Sequence, residues 1–440
     1  MTLGEQLRLT MLLAVPAIMA QFSSILMQYI DTAMVGHLGA GPSASVGLMA
    51  TSTWIFGGFT MAVASGFSVQ VAHLCGASDF FGARKVVRQG LVCILALSLL
   101  FGLLGVGISP WLPFWLGTDG YIARGATDYF SIYAAFIPVG AVGYGANAML
   151  QTSGNMKVPS ILYVSMCLLD VAFNYIFIYG MGMGVRGAAL GTGIAETVIL
   201  VISLWYLLCQ SKELRIVGER GSFSPTSQVM RNAFRITGPL WLQNLVMRGA
   251  YVATTVIVAP LGPIAIAANA FAITAESFCY MPGYGLEESA TTLVGQSLGA
   301  GRRNIARHFA YINTALGAGI MTFLAILMYI FAPQMMGFLS NDPDIVALGA
   351  RVLRIEAFAE TFYGVSIVAY GACVGAGNTL IPTAINFGSM WVVRIGLALV
   401  LTPRYGLVGY WIAMCVELNL RGLLFLLHIR GNKWMDNKFI

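Results

Sequence analysis

Of 440 residues, 58% are hydrophobic and 10% charged, against about 25% charged in an ordinary soluble chain, so a soluble globular protein is excluded. The net charge of +6 is no nucleic-acid footprint, because the basic residues lie in short gaps between apolar runs without an aromatic-interleaved basic patch. Seven scattered cysteines with no CxxC pair point to small buried hydrophobes rather than a disulfide framework or a zinc site.

With a mean hydropathy of +0.78 the chain reads as an all-α polytopic membrane protein. About twenty apolar residues cross a bilayer. On that window, twelve transmembrane helices are predicted at 9–36, 43–74, 86–108, 125–150, 157–180, 187–209, 231–259, 264–298, 307–332, 347–375, 380–402 and 406–429. The first apolar run is too long for a cleaved signal peptide and is read as a retained span. The short alternating strands of a membrane barrel are absent from the sequence.

The first run, 13–39, holds Pro16 near its start and one carboxylate, Asp31, deep inside. A charge at that depth costs roughly 2.5–3.5 kcal/mol on insertion scales, and such residues face water, a partner or a cation. Asp31 is therefore the first functional candidate. Pro16, fifteen residues earlier (31 − 16), removes a helix hydrogen bond and predicts a kink. Asp170 and Asn174 in the fifth span are four apart and share a helix face, and Thr192 and Glu196 do the same in the sixth. The competing account for these side chains is a structural hydrogen bond between helices.

Arg84, Lys85, Arg88, Lys157, Lys212, Arg215, Arg220, Arg231, Arg302, Arg303, Arg307, Arg430, Lys433 and Lys438 fall on one side of the spans. Arg124, Arg186, Arg404, Arg351 and Arg354 fall on the other. The imbalance predicts both termini in the cytoplasm, with Asp119 outside and Glu219 inside.

The polar stretch 211–230 divides the chain at its midpoint and is read as a cytoplasmic linker between an N-lobe, 1–210, and a C-lobe, 231–440. The two halves repeat at a constant offset of 223: Pro16 with Pro239, Gly39 with Gly262, Gly154 with Gly377 and Pro159 with Pro382 (382 − 159). A fixed offset over six spans marks a duplication of two six-helix lobes, and parallel repeats around a midplane cavity are a transporter plan.

The run QYIDTAMVGHLG behind its proline resembles the first helix of the multidrug and toxic compound extrusion (MATE) family. ATTLVGQSLGAGRRNIAR at 290–307, GAGNTLIP at 375–382 and GVRGAALGTGIAETV at 184–198 carry the same resemblance, which spans essentially the whole chain. It implies a V-shaped, twelve-helix antiporter in the cell membrane. Such a protein would export organic, often cationic or amphiphilic, compounds by alternating access in exchange for sodium ions or protons. The implied partners are small-molecule substrates, the coupling cation and membrane lipids, with no cofactor and a monomeric state.

Residue by residue, the resemblance places the cation-binding site at Asp31, Asn174 and Thr192, with Asp170 beside them. The family order in the fifth span is asparagine then aspartate, and here it is reversed. Asn147, Glu196 and Gln28 are assigned to the substrate cavity, and Pro16 to a bend that follows the charge state of Asp31. The second half has Thr254 and Val393 where the first has Asp31 and Asp170. Its own charges, Glu276, Glu287, Glu360, Arg248 and Arg394, form a second polar candidate set, either functional or paired as arginine with glutamate.

Two other classes are weighed. A lipid-linked flippase of the same broader superfamily would need a basic cavity, against the acids found here. An intramembrane enzyme would need an HExxH, GxSxG or comparable motif, and an ATP-driven pump a GxxxxGK[ST] loop; none is present.

Overall fold

A computed structural model of the chain describes residues 2–118 and 120–436, so Asp119 and Lys438 lie outside the described residues. The first half contains α1 (Leu3–Gly36), α2 (Ala40–Gly76), α3 (Phe80–Ile108), the single turn α4 (Leu112–Trp115), α5 (Gly120–Thr152), α6 (Lys157–Tyr175) and α7 (Gly184–Trp205). The second contains α8 (Ser227–Val258), α9 (Pro263–Gly299), α10 (Arg303–Leu339), α11 (Pro343–Glu356), α12 (Glu360–Gly375), α13 (Leu380–Phe387), α14 (Gly396–Tyr405) and α15 (Leu407–Arg430). Short π-helical turns at Ile176–Gly180 and Tyr206–Gln210 extend α6 and α7, and Gly388–Ile395 joins α13 to α14.

Eleven helices among the described residues are long and apolar enough to cross a bilayer, and the bent pair α11–α12 brings the number to twelve. Helices suit lipid because each closes its own backbone hydrogen bonds. The span predicted as one helix over 347–375 is broken, with α11 and α12 meeting at 60°. Neither proline nor glycine stands at the break. The backbone turns there through Ala359 N–H to Glu356 O at 2.7 Å and Phe358 N–H to Ile355 O at 3.3 Å.

The duplication is visible in the backbone itself. Gly39 and Gly262 have φ of 111° and 93° at the starts of α2 and α9, where a Cβ would be strained. Gly154 and Gly377 form a second matched pair at 101° and 73°.

The helices gather into two compact units. One holds the chain through Gln21 together with the part from Leu242 onward; the other holds 22–241. These limits differ from the predicted lobes in two places. The start of α1 packs in the unit formed mainly by the second half: Gly285 of α9 has no room for a Cβ against the backbone of Ile18, and Gln21 Nε2 donates to Glu288 Oε1 at 2.7 Å. The predicted linker, for its part, is fastened to the other unit rather than standing free. Arg84 pairs with Glu219 at 2.9 Å, buried Arg88 donates to Glu219 O at 3.0 Å, and Gln89 Oε1 accepts from Thr226 N–H at 3.1 Å. Leu214 and Ile216 enter that unit's core beside Leu207 and Val229.

Apolar side chains of α2, α3 and α5 fill the interior of the 22–241 unit, among them Phe67, Ile94, Met149 and Leu150. The other unit closes around Trp411 of α15, with Met328 and Met336 of α10 and Leu353 of α11.

Candidate functional site

The site is built inside the 22–241 unit from α1, α6 and α7. Asp170 and Asn174 stand one turn apart on α6 and are almost wholly buried, at 0% and 1% exposure. Asp31 reaches them from α1. The Asn174 amide joins the two acids: its Nδ2 donates to Asp31 Oδ1 at 2.9 Å and to Asp170 Oδ2 at 3.0 Å. Thr192 on α7 lies close enough to interact with Asp170, and Tyr129 on α5 with both carboxylates. The sequence-predicted set Asp31, Asp170, Asn174 and Thr192 is thus one cluster, and the reversed order in the fifth span does not disperse it.

Two buried oxygens in this cluster, Asp170 Oδ1 and Asn174 Oδ1, have no hydrogen-bond partner among the described residues. An acceptor buried without a donor carries its full desolvation cost, about 1–3 kcal/mol and more when charged. Two carboxylates sharing one amide also repel when both are ionised. The arrangement lacks positive charge. A proton or a cation bound by oxygens would supply it, and the donor set of carboxylate, amide and hydroxyl fits either.

Glycines on α7 bring α6 close enough to form the cluster. At Gly191 a Cβ would sit on Asn174 Oδ1 and within 2.9 Å of Asn174 N; at Gly187 it would come within 2.8 Å of the Phe177 backbone. This i, i+4 glycine pair is a small-residue seam of the kind that lets membrane helices approach. The spacing was visible in GVRGAALGTG, but which helix would pack on it was not.

Glu196, one turn beyond Thr192, lines a cavity of about 160 Å³ with Phe56, Thr60, Tyr133, Phe136 and Tyr144. Gly140 of α5 makes room for its carboxylate, since a Cβ there would lie 3.0 Å from Glu196 Oε2. Asn147, assigned to the same cavity from the sequence, is instead buried at 2% exposure, and its Oδ1 accepts from Ser203 Oγ at 3.2 Å. It ties α5 to α7. Gln28 is exposed and stands outside the bonds around Asp31. Pro16 lies inside α1 in the other compact unit.

A family model described as MatE matches residues 16–176 and again 239–400, the two copies starting 223 apart (239 − 16). The chain belongs to the MatE family. It is 26% identical over 436 residues to a probable multidrug resistance protein NorM of Thermotoga maritima, covering 96% of this chain and 92% of that one. It is 26% identical over 447 residues to the multidrug resistance protein MdtK of Yersinia enterocolitica, covering 97% and 96%. The Vibrio cholerae MATE transporter VcmN, solved in its bent form, matches with a TM-score of 0.90 at 19% identity over 98% of each chain, which shows a shared fold. The protein is a multi-pass membrane transporter and not an enzyme.

In the second MatE repeat the predicted polar residues do not form one set. Glu276 of α9 and Glu360 of α12 come together, joined by Glu356 of α11, which the sequence reading missed. Glu356 and Glu360 flank the helix break with 0% exposure; among the described residues neither Glu356 carboxylate oxygen has a hydrogen-bond partner, and Glu360 has the Cys279 thiol beside it. Glu287 lines a separate cavity of about 70 Å³ with Tyr284, Tyr370 and Arg421. Arg394 is paired, but with Glu417 of α15 rather than with the glutamates named from sequence. Its Nε donates to Glu417 Oε2 at 3.0 Å, and Arg421 reaches Glu417 Oε1 at 3.1 Å. Arg248 is half-buried on α8. Thr254, the counterpart of Asp31, donates to Ala250 O at 2.9 Å and accepts from Tyr410 at 3.2 Å.

Proposed function

We propose that this transporter is a cation-coupled antiporter that exports organic cations or amphiphiles by alternating access, driven by entering protons or sodium ions. The observation that carries the reading is Asn174 donating to both Asp31 and Asp170 while two neighbouring oxygens stay unpartnered. One charge-deficient cluster can hold either the coupling cation or the positive end of a substrate, and so makes them compete. Only a ligand that binds two access states differently can shift their balance. A cation seated at Asp31 and Asp170 would do so through α1, whose earlier part, with Pro16, belongs to the other compact unit.

The cavity of Glu196 supports a cationic substrate class, since a carboxylate among aromatic faces suits an ammonium group. The NorM and MdtK relatives are named multidrug resistance proteins, which supports small-molecule compounds as the cargo. The flippase alternative asks for a basic cavity and meets Asp31, Asp170 and Glu196 instead. We place the protein as a monomer in the cell membrane, both termini cytoplasmic.

The deciding experiment is efflux of a fluorescent organic cation from everted vesicles under an imposed proton or sodium gradient. Export should follow one of the two gradients and stop when that gradient is collapsed. Export that persists without either gradient would refute cation coupling.

A further inference from the structure

In the unit that contains Leu242 onward, a groove of about 910 Å³ opens among α10, α11 and α15. Its walls are apolar: Pro333 from α10, Val346 and Ala350 from α11, Val408 and Ile412 from α15, with Phe358 at the helix break. Phe358 is 70% exposed although it sits in a span, so the break turns an aromatic ring outward at the groove's end. Among the described residues, only two charged side chains line the groove, Arg351 and Arg354.

The arginines are three residues apart and so share one face of α11. Both are exposed. Arg354 is oriented by Tyr329 of α10: its Nε donates to Tyr329 O at 3.2 Å, and its guanidinium lies 5.7 Å from the ring centroid. That grip uses Nε and leaves the two Nη groups for another acceptor. No acidic side chain pairs with either arginine among the described residues. Asp342 is spent on capping α11, accepting from Asp344 N–H at 2.9 Å, and Asp344 is seven residues from Arg351 (351 − 344), about 10 Å along the helix.

Two guanidiniums without an acidic partner over an apolar trough are complementary to an anionic amphiphile. Guanidinium forks match phosphate oxygens in pairs, and basic pockets between membrane helices hold anionic headgroups. An organic cation, the substrate class proposed above, would be repelled, so the groove stands apart from the transport path. Its depth is set by α10. That helix starts at Arg303, paired with Asp436 of the C-terminal tail at 2.9 Å, and runs 37 residues before α11 begins. The arginines therefore lie toward the membrane face opposite the tail.

We propose that this groove is a binding site for one anionic phospholipid from the leaflet opposite the C-terminal tail. Arg351 and Arg354 hold its phosphate, and an acyl chain lies along Val346, Ala350, Val408 and Ile412. The same segment of α11 that faces the lipid ends in Glu356, so occupancy would brace the broken span from outside.

The test uses the full chain, purified and stripped of lipid, then mixed with phosphatidylglycerol or phosphatidylcholine and examined by native mass spectrometry. Both lipids offer a phosphate to the arginines, but the quaternary ammonium of phosphatidylcholine cancels its charge and is repelled by the guanidinium pair, so wild type should retain phosphatidylglycerol about tenfold better than phosphatidylcholine. R351Q/R354Q should lose that preference, and R351K/R354K should keep only part of it because lysine lacks the fork. A347W, which fills the groove from an exposed position and leaves both arginines in place, should lose retention as well. Thermal melting in the same detergent identifies any variant that has not folded; the wild-type lipid preference and A347W then decide. Equal retention of the two lipids by wild type, or undiminished retention by a folded R351Q/R354Q or A347W protein, would overturn the proposal. So would displacement of the lipid by inorganic phosphate alone, which would reduce the pair to a simple anion site.

Discussion

Gly191→Ala isolates the close approach of α6 and α7 from the chemistry of the site. The added methyl would lie 2.9 Å from Asn174 N and 3.1 Å from its Cα, as well as on its side-chain oxygen. A flexible side-chain tip could yield; backbone cannot. The two helices must part by some tenths of an ångström, and overpacking of this kind costs about 1–3 kcal/mol. Asn174 moves with α6, so the bonds to Asp31 and Asp170 lengthen together. Each is a hydrogen bond to a charged group worth about 1.5–3 kcal/mol, so losing one weakens the cation site at least tenfold. Gly180→Ala is the control, because a Cβ there meets nothing within 4 Å. Both variants would be reconstituted, melted in detergent and assayed for gradient-driven efflux against the concentration of the driving cation. G191A should melt lower and need at least tenfold more cation for half-maximal efflux, while G180A should match wild type. If G191A transports with an unchanged cation requirement, the packing of α6 on α7 does not position the site.

Asp31→Asn should abolish coupled efflux, whereas Thr254→Val at the repeat-equivalent position should leave most of it, losing one hydroxyl network worth about 1 kcal/mol; equal loss in both would make the site common to the two halves. Lowering pH should weaken binding of a cationic drug in wild type, because protons neutralise the charge that attracts it. In Asp170→Asn the profile should flatten and transport should stop; titration of drug affinity against pH shows whether the profile changes at all. Glu417→Gln leaves Arg394 and Arg421, each 5% exposed, facing a neutral partner, and should cost about 3–5 kcal/mol, read as a lowered midpoint in chemical unfolding. A Tyr121→Cys protein should react with an impermeant maleimide on intact cells and an Arg220→Cys protein should not; the opposite pattern would invert the proposed orientation.

Hydropathy alone located the spans, because the bilayer sets both their length and their composition, and the constant offset of 223 exposed the duplication without any coordinates. The acids Asp31 and Asp170 stood out for the same reason: a carboxylate in an apolar run is costly and so conspicuous. What sequence could not supply was which distant faces meet. That Asn174 bridges two carboxylates 143 and 4 residues away is a matter of helix packing, and so is Gly191's place against it. That Asn147 accepts from Ser203, 56 residues away, was likewise not legible in the sequence. Glu356 was hidden because it falls beside a helix break with no proline or glycine to announce it, and Arg394 found Glu417 on another helix rather than the glutamates closer to hand in the reading. Local composition fixes what a segment is, since each helix closes its own backbone bonds in lipid. Only the packing of helices, through side chains far apart in the chain, decides which polar groups share a site.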